Sequence, residues 1–405
     1  MTDSSQPQLP RGAALYLAVV QFFFVTTWTI YVIYLPKLLA AAGLPASYTI
    51  WILLLDQLVF MVMDVVMGIA ADRAGRMLGR IGPLIIAVTA VSCIAFLLIP
   101  HAAFLGSAAP AVSLVLILAW AATSSALRAP PWVLLSKYAA APSLPWMNAL
   151  ALSGMAIGGA LAPYLGVTLR NLDPRLPFAV SSLTLFAATA GLVWVERALA
   201  RRPTVGKLSA PPLGELLPGM SLFLIACLLL ALGFQIHTAL NSAPQYLRFA
   251  APDQLDYLLP VFWIGFNVAM FPGAALARRF GTLPVIAAAA ALGAGGAAVS
   301  LQAQSIDILI AAQALAGGAW GCIMMACFST ALAFGRTGRE GTALGLLFGM
   351  LAVATFSRMG AVAAQLNKAP DYAALLAWGP VALWLVGAVV FIGLAVTRRT
   401  REATN

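Results

Sequence analysis

The stretch Gly68-Ile-Ala-Ala-Asp72-Arg73-Ala-Gly75-Arg76-Met-Leu-Gly79-Arg80 places one acid, three arginines and three glycines between two long apolar runs. A basic turn punctuated by glycine, with apolar runs of roughly 20 residues on either side, is the connection between two membrane-crossing helices. Its reading decides the fold, because the same pattern recurs on both sides of it.

Of 405 residues, 62% are hydrophobic and 9% charged, with a mean hydropathy of +0.95. A soluble core of this size has no need of that balance, so lipid is the expected solvent. The formal net charge of +10 does not imply nucleic acid, because the basic residues are scattered over short loops and form no patch. Cys93, Cys227, Cys322 and Cys327 all fall in apolar stretches without metal-ligand spacing, and read as packing residues. The apolar stretch from Ala13 is too long and too aromatic for a cleavable leader, and reads as the first span.

Pro/Gly punctuation predicts spans over 13–36, 47–71, 81–100, 111–137, 144–166 and 176–197. A second set follows over 217–247, 255–277, 282–302, 306–335, 341–365 and 373–397. The expected fold is an all-α membrane protein of twelve transmembrane helices in two pseudo-symmetric six-helix bundles, 13–197 and 217–397. A polar, basic linker over 198–216 joins them, with tails over 1–12 and 398–405. Twelve spans put both termini on one side. Sixteen of the 23 basic residues fall on that side and five on the other, with Arg128 and Arg358 inside spans. That asymmetry places both termini in the cytoplasm, in a bacterial inner membrane.

The halves also echo one another. The second span ends in Gly68-Ile-Ala-Ala-Asp72-Arg73-Ala-Gly75 and the eighth in Gly273-Ala-Ala-Leu-Ala-Arg278-Arg279-Phe-Gly281. Halves related in this way hold a substrate between them near the bilayer midplane.

In Gly68 to Arg80, the residues Gly68, Ala71, Asp72, Arg73, Gly75 and Arg76 fall at the spacings of a known signature. The loop resembles the one that the major facilitator superfamily carries between its second and third helices. The resemblance implies a gating loop, completed here by Arg80. Gly68 would permit close helix approach, and Asp72 would hold arginines and a neighbouring helix end when the cytoplasmic side is closed. Asp64-Val-Val-Met-Gly68, Gly79-Arg80, Pro83 and Arg128-Ala-Pro130-Pro131-Trp132 are similar to the melibiose-permease-like branch, the glycoside-pentoside-hexuronide:cation symporters. That branch holds its cation on two second-helix aspartates four residues apart and one on the fourth helix. Here only Asp64 remains, with Phe60 and Arg128 at the other positions. A guanidinium in place of a carboxylate repels cations, so protons are expected as the coupling ion rather than sodium.

An unpaired ionic side chain at mid-bilayer costs at least ~2.5 to 3.5 kcal/mol, so each calls for a partner or a function. Asp56 and Asp64 share a broad face of the second span, ~12 Å apart in depth. Asp64 and Arg128 lie at similar depth and are expected to pair, either as a switch or as a strut. Asp56 and Arg358 lie nearer the outer side, where a pair would close an outer gate. Arg358 alternatively holds an anionic substrate group or snorkels to the interface. His237, Asn241 and Gln245 follow one another at four-residue spacing, presenting an imidazole and two amides for cavity lining or proton coupling. Trp28, Tyr31, Trp263, Asn267, Gln313 and Trp320 suit a ligand with both apolar and hydrogen-bonding surface. Gly154-x-x-x-Gly158 and Gly341-x-x-x-Gly345-x-x-x-Gly349 are packing stripes.

No phosphate-binding loop is present, and His101 and His237 are the only histidines, so neither ATP-driven transport nor a catalytic or metal site is expected. No cofactor is called for. The reading is a secondary transporter working as a monomer by alternating access, proton-coupled, for a small anionic or amphipathic organic solute. The rivals are a proton-coupled exporter of hydrophobic compounds and a sugar or lysolipid carrier of the melibiose-permease-like type. A membrane enzyme would need a cluster of acid, base or metal ligands, and a receptor would need a soluble signalling region. Neither is found.

Overall fold

Proline, glycine and short polar runs end each apolar stretch, and helices fill what lies between. The computed structural model describes residues 11–77, 80–137, 141–200, 219–336 and 338–404. The first half holds α1 (Arg11–Ala41), α2 (Thr49–Met77), α3 (Gly82–Leu98), α4 (Ala109–Ser124) with α5 (Ala129–Lys137), α6 (Leu144–Leu169), and α7 (Arg175–Ala190) with α8 (Leu192–Ala200). The second holds α9 (Met220–Ile236) with α10 (Ser242–Tyr246), α11 (Leu255–Leu258) with α12 (Pro260–Phe280), α13 (Thr282–Gln302), α14 (Ile306–Phe334), α15 (Glu340–Ala363) and α16 (Pro370–Thr404). Each joined pair is one span, so the described chain crosses twelve times. The long apolar stretch Gly82–Lys137 contains two crossings, joined by a 3-10 segment over Ile99–Ala108.

The linker expected over 198–216 lies mostly outside the described residues, as do the first ten residues and Gly79. The last helix continues through the stretch read as a tail, as far as Thr404. Four spans differ from the uninterrupted helices expected; the sixth and eighth are interrupted only at single residues, Gly191 and Leu259. The fourth is broken between Ser124 and Ala129, and the seventh contains a π turn over His237–Asn241.

Contacts repeat across the halves. The first span packs on the fifth and sixth, as the seventh does on the eleventh and twelfth; the third packs on the sixth as the ninth does on the twelfth. Large apolar side chains such as Trp51, Val62, Leu183, Val268, Leu375 and Val389 are exposed all round the outside. In water such a surface would aggregate; against acyl chains it is the proper exterior.

Two seams join the halves, α2 against α15 and α6 against α12. Along the first, backbones touch. A Cβ on Gly68 would lie 2.1 Å from the Gly341 carbonyl oxygen, and one on Gly345 would lie 2.4 Å from the Asp64 carbonyl oxygen. Only glycine permits that approach, which is how small residues assemble helices in lipid. At the termini side, Asp72 caps α15: Gly341 N–H donates to Oδ1 at 2.7 Å, and Thr342 N–H and Oγ1 donate to Oδ2 at 2.8 and 2.7 Å. Near the second seam, Asn148 Nδ2 donates to Ser329 Oγ at 2.9 Å across the halves. Between the seams, Trp132 packs on Phe328 and Phe348, closing the termini side with rings.

Gly345→Ala should therefore overpack the first seam by roughly 1–3 kcal/mol and lower the thermal unfolding midpoint. Gly393→Ala, where an added Cβ meets nothing within 4 Å, should leave it unchanged. Asp72→Ala should cost about 1–2 kcal/mol as a lost cap and speed hydrogen exchange at the Gly341 and Thr342 amides.

Candidate functional site

The broken fourth span organises the first half's charges. Pro130 and Pro131 have no N–H to give to the carbonyls of Ala126 and Leu127, so the helix cannot run through. Ser125–Leu127 tightens to a 3-10 turn, and Arg128 leaves helical geometry at φ −93°, ψ −86°. Gln21 of α1, itself buried, donates Nε2 to the freed Leu127 carbonyl at 2.8 Å. The break is thus satisfied from the neighbouring span, as a buried carbonyl requires.

At the break Arg128 Nε lies 3.2 Å from Asp64 Oδ2, with Asp64 fully buried. The approach lacks the alignment of a hydrogen bond. The guanidinium is held instead between two ring faces, Phe60 of α2 and Phe348 of α15, each 4.9 Å from its carbon to the centroid. Phe60 and Arg128 are therefore one cation–π unit. Phe348 belongs to the second half, so the pair is clamped across the interface.

From Phe60 an aromatic series runs outward: Trp28 at 5.4 Å, then Trp120 and Tyr31, each within 5.6 Å of Trp28. Tyr31 donates its hydroxyl to Asp56 Oδ2 at 2.7 Å, while Asp56 Oδ1 has no partner. Asp56 and Arg358 do not form the outer-gate pair, one of the three readings open to Arg358; no ion pair joins them within 4.0 Å. The reason is azimuth. Phe356, Met359 and Ala363 are the α15 residues that pack on the outer first-half cluster. Arg358 lies one turn beyond Thr355, which accepts from Gln235 of α9, and so shares the face toward the seventh span. It is half-buried, with Nε unpartnered.

In the second half the π turn alters the expected polar face. His237 and Gln245 would point roughly 80° apart on a regular helix; the wider turn brings them back into line. Both meet α14: His237 Nε2 donates to Gln313 Oε1 at 3.1 Å, and Gln313 Nε2 donates to Gln245 Oε1 at 2.9 Å. Asn241 is turned away, donating to the Leu376 carbonyl of α16 at 2.9 Å. The three polar residues therefore do not form one cavity face.

Tyr31, His237 and Trp320 are buried and offer no surface to a central cavity in this conformation. Trp320 stacks on Phe234 at 4.4 Å. Trp28, Trp263 and Asn267 are half-buried. Trp263 stands against Gly159 of α6, where a Cβ would lie 2.9 Å from its ring, and Asn267 turns its amide back to the Trp263 carbonyl at 3.1 Å.

In the loop after α2, Asp72 holds the neighbouring helix end and pairs with no arginine among the described residues. Arg76 bonds the Asp72 carbonyl at 3.3 Å, Arg73 and Arg80 are exposed, and Gly75 lies against Ile81. Glu196 was not singled out from sequence. It accepts from the Ile81 and Gly82 amides at 2.7 and 2.9 Å and so caps α3. Its signal was a lone acid at the end of an apolar run. Among the described residues no cluster of His, Cys, Asp or Glu is arranged to hold a metal.

No curated protein matches the chain. Among solved structures, a bacterial homologue of the iron transporter ferroportin in an outward-facing state aligns with TM-score 0.75 and 14% identity, over 94% of this chain and 98% of that one. The human organic anion transporter MFSD10 aligns at 0.69 and 15%, over 95% and 100%. The E. coli fucose:proton symporter FucP aligns at 0.68 and 16%, over 96% and 99%. These likenesses establish the fold. The sequence profile of the Major Facilitator Superfamily matches residues 17–357; with its twelve spans, repeated halves and Asp72 latch, the chain belongs to the Major Facilitator Superfamily.

Proposed function

We propose that this transporter moves a small anionic or amphipathic organic solute by proton-coupled alternating access, in a bacterial inner membrane with both termini cytoplasmic. The observation that carries the reading is Arg128, held against Asp64 at a helix break and clamped by Phe348 of the other half. A charge pair whose surroundings come from both halves changes its solvation whenever the halves part. Such a change moves protons on and off a carboxyl. Asp64 and Asp56 are the candidate proton carriers, the latter with Tyr31 as its positioning partner.

The anionic preference rests on Arg358, because Arg128 already faces a carboxylate. Arg358 has an unpartnered Nε and lies on the face toward the seventh span, where a fork of donors suits a carboxylate or phosphate. Trp28, Trp263 and Asn267, half-buried, offer ring surface and an amide for the rest of the solute. Sodium coupling has no support in a site where guanidinium and phenyl replace two acids.

The test is solute-driven proton movement in proteoliposomes loaded with a pH dye, screening organic acids, sugars and lipophilic compounds. Acid-coupled uptake of an organic anion is expected, and Arg358→Gln should abolish it. Proton exchange against lipophilic cations would make the protein an exporter. Sodium-dependent, pH-independent uptake would overturn proton coupling.

A second prediction separates switch from strut. Asp64→Asn alone leaves a buried guanidinium uncompensated and should cost about 3–5 kcal/mol, read as a lower unfolding midpoint. Asp64→Asn with Arg128→Gln should recover most of that stability. If the double variant also recovers proton-coupled uptake, the pair is only a strut.

A further inference from the structure

The seventh span and its neighbours carry polar groups whose hydrogens are already spent. Gln235 Nε2 donates to Thr355 Oγ1 at 2.9 Å. Thr355 gives its own hydroxyl hydrogen to the Leu351 carbonyl at 3.0 Å, and Thr238 gives its hydrogen to the Phe234 carbonyl at 2.8 Å. On α12, Asn267 Nδ2 donates to the Trp263 carbonyl at 3.1 Å. A carbonyl only accepts, and a hydroxyl has a single hydrogen, so these bonds fix which way each amide points. Gln235 Oε1, Asn267 Oδ1 and Thr238 Oγ1 remain as acceptors, and none of them receives a hydrogen bond among the described residues.

Their direction follows from what α9 touches. Phe234 lies against Trp263 of α12, with ring centroids 6.2 Å apart, and Gln235 meets α15 through Thr355. Since α12 and α15 are the second-half members of the two seams, the sector of α9 between those contacts looks toward the first half. At about 100° per residue, Thr238 falls roughly 40° from Phe234 and roughly 60° from Gln235, inside that sector. The opposite side of α9 is closed by Trp384 of α16 against Gly233. Gln235, Thr238 and Asn267 are all half-buried and lie well inside their spans.

Acceptors without donors are costly at this depth, because the hydrocarbon around the bundle supplies no hydrogen. A wall of this kind is complementary to a solute that brings hydrogens of its own, as hydroxyl and ammonium groups do. An ammonium calls for a carboxylate, and the mid-membrane acids, Asp56 and Asp64, stand on α2 against Tyr31 and Arg128. We infer that the transported solute is a hydroxycarboxylate, with Gln235, Thr238 and Asn267 accepting hydrogen bonds from its hydroxyl groups. The inference rests on the anionic reading proposed above, in which Arg358 takes the carboxylate. An acid without hydroxyls leaves the acceptor oxygens unanswered and binds more weakly.

The test is isothermal titration calorimetry on the full chain in nanodiscs, comparing gluconate and lactate with propionate, and with alanine as the ammonium probe. Gluconate and lactate should bind at least about tenfold more tightly than propionate. Thr238→Val and Gln235→Met keep the side-chain volume and remove an acceptor. Each should weaken gluconate binding about tenfold and leave propionate binding unchanged. Ser357→Ala, on the exposed side of α15, should change neither. Equal binding of gluconate, lactate and propionate, or a preference that survives both variants, overturns the inference while the anionic reading stands. Tighter binding of alanine than of lactate overturns it in favour of an ammonium group. Failure of every anion to bind overturns the anionic reading and the inference with it. If a variant does not fold, the affinities of the unsubstituted chain still decide.

Discussion

Everything in this molecule depends on how closely α2 lies against α15. The glycines at 68, 341 and 345 let two backbones meet, and that contact sets the register in which Asp72 reaches the first turn of α15 and Phe348 reaches Arg128. In lipid there is little hydrophobic gain from bringing helices together, so shape fit and a few polar bonds must do it. The seam supplies both. Its cap adds a directional element: a carboxylate at a helix N-terminus meets free amides and the positive end of the helix dipole at once.

The charges obey the same economy of partners. Arg128 would be intolerable on a straight apolar helix; at a proline break it gains a carboxylate, two ring faces and a satisfied backbone. The second half has no counterpart. There, buried His237 and Gln245 are bonded to one another through Gln313. The halves are thus alike in path and unlike in chemistry, with a charge pair at a helix break in one and an imidazole–amide chain at a π turn in the other.

Much of the fold was legible because lipid imposes a coarse code. Length and hydropathy mark the spans, arginines sort the loops, and the Gly68–Arg80 stretch names the turn. Depth was legible too, which is why Asp64 and Arg128 were placed together by counting along helices. Azimuth was not. Asp56 and Arg358 both lie toward the outer side but face different neighbours, Asp56 the Tyr31 hydroxyl and Arg358 the seventh span, and no residue count reveals that. The break at Arg128 was written in Pro130-Pro131 and was masked by the apolarity around it. The π turn has no such mark, since nothing in His237-Thr-Ala-Leu-Asn241 distinguishes it from ordinary helix. Phe348 over Arg128 required knowing which faces meet across two halves far apart in sequence.

The π turn also fixes what the seventh span can tolerate. Beyond it, Ser242, Gln245 and Tyr246 are buried against their own bundle. Each residue of α-helix carries the chain round by about 100°, so removing one residue from His237–Asn241 would swing these polar groups toward the acyl chains. The span would keep its length and hydropathy and still present the wrong side. Its length is therefore a matter of phase as well as of reach across the bilayer.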